Sequence, residues 1–135
     1  MAIGYVNTFV AVAADCPVTT GVIPDRPLSI PGIEYALLTA NRYMLTGEDL
    51  ILAVHSRHKG ISEADIETFK AALFAKPHPC LRASLLTKRY GWGAHYDAEG
   101  RIALYGVETD DYRRLTSEPG IKVVPAMRHR KPGTP

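Results

Sequence analysis

The apolar side chains of this chain change their period near residue 80. Upstream, Ile33, Leu37, Ala40 and Met44 recur at spacings of three and four, as do Ile66, Phe69 and Leu73, which is the stripe of an amphipathic helix. Downstream of Cys80, the stretches 92–96 and 101–107 follow a period of two, which is the period of a strand. A chain that is helical in its middle and hairpin-like afterwards has few solutions. The expectation is an α+β fold: a two-layer domain with helices packed on one face of a mostly antiparallel sheet of about four strands.

Local signals place the elements. Ser29 is expected to cap the first helix, and Thr46 with Asp49 in TGED forms a capping box for the second, which Gly60 closes. Ser62 and Asp65 in SEAD repeat that arrangement, and Pro77 and Pro79 end the third helix. Thr109 caps a short helix containing Tyr112 and Leu115, stopped by Pro119 and Gly120. Tyr5 to Ala13 carries apolar groups on both sides, as an interior strand does, and Ile121 to Val124 supplies a last strand. Between them, DCPVTTGVIPDRPLSIPG holds four prolines and two glycines and reads as an ordered loop.

Asp97, Ala98, Glu99 and Gly100 suit a turn closed by a left-handed glycine. With those four residues as the loop, Tyr96 pairs with Arg101, Trp92 stands opposite Tyr105 and His95 opposite Ile102. Trp92, Ala94, Tyr96, Arg101, Ala103 and Tyr105 then share one face, and His95, Ile102 and Leu104 the other. A cross-strand Trp–Tyr pair contributes roughly 0.5–1 kcal/mol, so packing alone accounts for both rings. His95 on an apolar face reads first as a hydrogen-bonded core histidine.

At 135 residues the chain fits a single domain over 1–127, with a basic, Pro- and Gly-containing tail at 128–135. A net charge of +2 is too balanced for the whole surface to serve as a nucleic-acid footprint. The first sixteen residues contain no Lys or Arg, which argues against a secretory signal, and no apolar run reaches the length of a membrane span. The expected compartment is therefore the cytoplasm, with no membrane partner and with Cys16 and Cys80 as reduced thiols.

The chemistry-bearing residues crowd into 80–105. Gly91 and Gly93 lie inside a strand pattern, where glycine marks a bulge or the close approach of a backbone or ligand. Lys88 and Arg89 stand just upstream, and a guanidinium suits a carboxylate or phosphate. These residues point to a pocket around 80–105 that binds a small anionic molecule. Catalysis is left undecided. For nucleophilic chemistry the candidates are Cys80 or Cys16 as thiolate and His95 as base, with Arg82, Lys88 or His78 lowering the thiol. His55, His58, His78, Cys80 and His95 are conceivable metal ligands, but no CxxC or HExxH spacing is present, so no metal or other cofactor is expected. The alternative is an interaction module: Tyr90, Trp92, Tyr96 and Tyr105 beside Lys88, Arg89 and Arg101 could stack single-stranded nucleic acid on an exposed sheet face, or bind a protein, including a second copy as a homodimer. The low net charge and the nearby acidic residues argue against nucleic acid.

The segments DCPVTTG at 15–21, CLRAS at 80–84, KRYGWGAH at 88–95 and IALYGVE at 102–108 resemble a family of small proteins of unknown function, DUF6157. The resemblance spans nearly the whole chain, from Asn7, Thr8 and Phe9 onward, and KRYGWG is distinctive. It places Cys16, Thr19, Thr20, Cys80, Arg82, Lys88, Arg89, Tyr90, Trp92, His95 and Tyr105 in family motifs, without giving any of them a role. The binding candidates are accordingly Lys88, Arg89, Tyr90, Trp92, Tyr105, Arg82, Thr19 and Thr20. The family tends to place proline after CLRAS, where this chain has Leu85.

Overall fold

The computed structural model describes residues 5–128, so the expected basic tail, Arg128 apart, lies outside the described residues. In chain order the elements are β1 (Thr8–Ala11), α1 (Ile30–Ala40), α2 (Gly47–Lys59), α3 (Ile66–Leu73), α4 (Leu85–Lys88), β2 (Trp92–Tyr96), β3 (Ile102–Gly106), α5 (Asp110–Ser117) and β4 (Lys122–Pro125). The fold is an α+β domain on a four-stranded sheet of order β3-β2-β1-β4.

The helix ends follow the local signals. Ser29 accepts a hydrogen bond from the Gly32 amide, and Thr46 and Asp49 form the reciprocal capping box. Gly60 ends α2 in the left-handed conformation at φ 68°. SEAD departs from its expected box: the Ser62 hydroxyl donates to the Asp65 carboxylate, and residues 63–65 form a 3₁₀ turn that leads into α3. Ser84 caps α4 by accepting from the Leu86 amide. Leu85, standing where the family tends to place proline, is its first residue.

The sheet is mixed. The pairs β1–β2 and β2–β3 are antiparallel, but β4 lies parallel to β1 on the far edge. The cause is α5, which carries the chain from β3 across two strands to β4. Such a crossover must lie on a sheet face. Helices α1, α2 and α4 cover one face, where Val10, Ala94, Tyr96, Ile102 and Leu104 join Leu37, Leu38, Leu50 and Leu86 in the main core. On the other face Tyr112 and Leu115 of α5 pack on Phe9, Ala103 and Tyr105. The expectation of helices on one face thus covers three helices and misses the crossover.

The hairpin register differs by one residue from the expectation. Asp97 belongs to the paired strand: its amide donates to the Arg101 carbonyl at 2.9 Å, and its side chain accepts from the amides of Glu99 and Arg101. The loop is therefore the three residues 98–100, with Gly100 at φ 79°. Tyr96 pairs with Ile102, His95 with Ala103 and Trp92 with Gly106. A slip of one residue exchanges the faces. Trp92 and Tyr96 face α1, while His95 and Tyr105 share the α5 face. The expected Trp92–Tyr105 pair is absent. Trp92 instead packs on Tyr35, with ring centres 5.3 Å apart, and its indole N–H donates to the Val22 carbonyl.

Candidate functional site

Two polar clusters lie on opposite faces of the sheet. The first surrounds a cavity of about 260 Å³ between α1, α2 and the segment 78–85. Its walls are apolar, from Ile30, Pro31, Leu50, Ile51, Val54 and Leu85, and five side chains add chemistry: Glu34, His55, His78, Cys80 and Ser84. A smaller recess shares Glu34, Leu50, Ile51 and Cys80 and reaches Tyr96.

Glu34 is the only charged residue of α1, in the sequence IPGIEYALLTA. The Ser84 hydroxyl donates to its carboxylate at 2.6 Å. Burial pushes the carboxyl up to about 7, against the opposing pull of the Ser84 bond, so near neutral pH it stands between acid and carboxylate. His78 bonds through Nε2 to the Leu73 carbonyl at 2.5 Å, which requires a proton on that nitrogen. Its ring lies 5.3 Å from that of His55. Burial, then the charges of His78, Lys59 and His58, hold His55 below the usual histidine range. The Cys80 thiol donates to the Tyr5 hydroxyl at 3.7 Å.

The second cluster is a chain of hydrogen bonds. After α1 the backbone turns, and the Tyr43 amide donates to Ile102, whose own amide donates to Leu45. Residues 43–45 thereby line the outer edge of β3. Tyr43 sits at φ 56°, a left-handed conformation uncommon outside glycine, and its phenol reaches the α5 face. There Arg42 donates to the Tyr105 hydroxyl at 2.6 Å, and the Tyr43 hydroxyl lies 2.7 Å from both Tyr105 Oη and His95 Nδ1.

One arrangement uses both phenol hydrogens of this chain. A guanidinium can only donate, so Tyr105 accepts from Arg42, and in this arrangement it gives its own hydrogen to Tyr43. Tyr43 then donates to Nδ1 of His95, which is neutral with its proton on Nε2. Burial, and after it Arg114, lowers the His95 titration, while Asp97 opposes them. Tyr43 is raised above the usual tyrosine range by burial and by Tyr105.

The residues expected to form the site separate accordingly. Cys80 faces the cavity and His95 the opposite side of the sheet, so thiol and imidazole do not converge. Cys16 lies elsewhere, its amide bonded to the Ala13 carbonyl. Lys88, Arg89, Tyr90 and Trp92 lie outside the lining of either recess. Arg82 donates to the Pro125 carbonyl and holds the end of β4. The two glycines do accommodate a close approach, but from the protein itself. A side chain at Gly91 would overlap the Thr20 carbonyl, and one at Gly93 the rings of Phe9 and Tyr112. Thr19 and Thr20 are exposed on that crossing loop. With helices on both faces, Tyr96 and Tyr105 are buried and Tyr90 and Trp92 half-buried, so the rings do not form an exposed stacking platform.

Sequence reading missed Glu34, Arg42 and Tyr43. Glu34 had a signal, a lone acid in an apolar helix. Arg42 and Tyr43 had none, because their partners lie more than fifty residues away. Among the described residues no group of three or more His, Cys, Asp or Glu is placed to hold a metal ion, and no helix is long and apolar enough to cross a membrane.

A family model described as "Family of unknown function (DUF6157)" matches residues 1–132, so the chain belongs to this family. No curated protein and no solved structure matches it.

Proposed function

We propose that this DUF6157 domain binds a small, largely apolar molecule in the cavity between α1, α2 and residues 78–85, with Glu34 meeting its polar end. The observation that carries this reading is the Glu34 carboxyl, pushed up by burial, on the wall of a mostly apolar cavity. Apolar pockets with a few convergent polar groups are the usual form of small-molecule sites, and a strongly perturbed titration marks a group whose environment serves something other than its own solvation. The site lies at the start of the expected 80–105 region, at Cys80 and Ser84, and draws its other groups from helices upstream. Because neither Lys nor Arg is among its lining residues, it suits an anion less well than the Lys88–Arg89 pair suggested. Binding is the function the geometry supports, since the Cys80 thiol is given to the Tyr5 hydroxyl and lies across the sheet from His95.

Methyl-resolved NMR with benzyl alcohol as an uncharged probe tests this. Saturable shifts confined to Ile51, Val54 and Leu85 are expected. Shifts spread over the surface, or none at millimolar probe, would remove the cavity as a binding site.

A further inference from the structure

We infer that the natural ligand of this cavity carries a cation, an ammonium group on an apolar body, which seats on the Glu34 carboxylate in place of a proton. The inference rests on the binding role proposed above and adds the charge of the ligand.

Three observations carry it. First, the lining has no Lys or Arg to pair with Glu34. Its other titratable groups are His55 from α2 and His78 and Cys80 from the segment before α4, with Tyr96 reached from β2. His78 already spends Nε2–H on Leu73, and a charge on it would face His55 across 5.3 Å. Tyr96 and Cys80 offer a hydroxyl and a thiol, and the Cys80 hydrogen is given to Tyr5.

Second, Ser84 is oriented for the ionised form. Its oxygen accepts the Leu86 amide at 3.0 Å as the cap of α4, while its hydrogen goes to Glu34. Helix capping thus points an O–H at the carboxyl, and a donor so placed favours the carboxylate. Third, the surrounding wall is mostly apolar, so an ionised Glu34 without a counter-charge is costly. The proton it holds near neutrality substitutes for a missing positive partner. An ammonium supplies that partner, and its apolar body covers Ile51, Val54 and Leu85.

The exchange balances simply. A protonated Glu34 and an alkylammonium give an ion pair, and the carboxyl proton passes to solvent. Calorimetry with benzylamine at pH 7, in two buffers of different ionisation enthalpy, counts that proton. Release of a fraction of a proton per molecule bound is expected, with affinity at pH 5 at least about tenfold below that at pH 8, because protonation of Glu34 competes. Glu34→Gln should bind benzylamine no better than benzyl alcohol and release no proton. Benzyl alcohol or phenylacetate binding as tightly as benzylamine, without proton release, would overturn the cation and leave the cavity reading standing. If none of the three probes shifts the cavity methyls, the cavity reading fails, and this inference fails with it.

Discussion

On the α5 face, Arg42, Tyr105, Tyr43 and His95 pass hydrogen bonds from one to the next at 2.6–2.7 Å. On the α1 face, Glu34 has the Ser84 hydroxyl and a cavity of about 260 Å³. Both clusters gather polar groups against the core, with Arg42 at the exposed end of the first. The first satisfies them internally and so fixes the path of the chain around β3, whereas the second leaves a titrating acid beside open volume. The difference separates a polar group that stabilises a fold from one that is available to a ligand.

The comparison breaks if the closed face tolerates change. Gly93→Ala drives a methyl group into Phe9 and Tyr112 and should cost about 3 kcal/mol in urea unfolding, which is the penalty of overpacking. Tyr43→Phe keeps the ring but strips His95 and Tyr105 of a partner, and should cost about 2 kcal/mol while leaving benzyl alcohol binding unchanged. If that variant lost binding with its stability intact, the roles of the two faces would be reversed.

The pocket should respond in the opposite sense. The folded chain keeps on Glu34 a proton that the unfolded chain has lost, so this group makes stability fall as pH rises from the ordinary carboxyl value of 4.5 to about 7. Glu34→Gln, which still accepts from Ser84, should gain about 1–2 kcal/mol at pH 8 and almost nothing at pH 4. His95 acts the other way. Its lowered titration means that the unfolded chain binds a proton the folded chain refuses, so its contribution is lost as pH falls below the ordinary value of 6.5. The smallest change is expected for Cys80→Ala, under about 1 kcal/mol, since a weak thiol donor to Tyr5 is all it removes.

How much of this could be read from the chain depends on distance along it. Caps at Ser29, Thr46 and Thr109 were legible because each joins atoms three residues apart. The hairpin was legible too, but its register turned on whether Asp97 belonged to loop or strand, and its side chain decided that by accepting the amides of Glu99 and Arg101. Gly91 and Gly93 announced a close approach without saying whose. The cavity draws on residues 30–34, 50–55 and 78–85, and nothing local ties those segments together. The parallel β4 was hidden because an isolated strand carries no sign of its direction.

Carbon-13 titration of the Glu34 carboxyl, alone and with saturating benzylamine, tests the account most directly. It should titrate near 7 alone and clearly lower with the probe bound. Titration at an ordinary carboxyl value in both samples would contradict the poised acid and the site built on it.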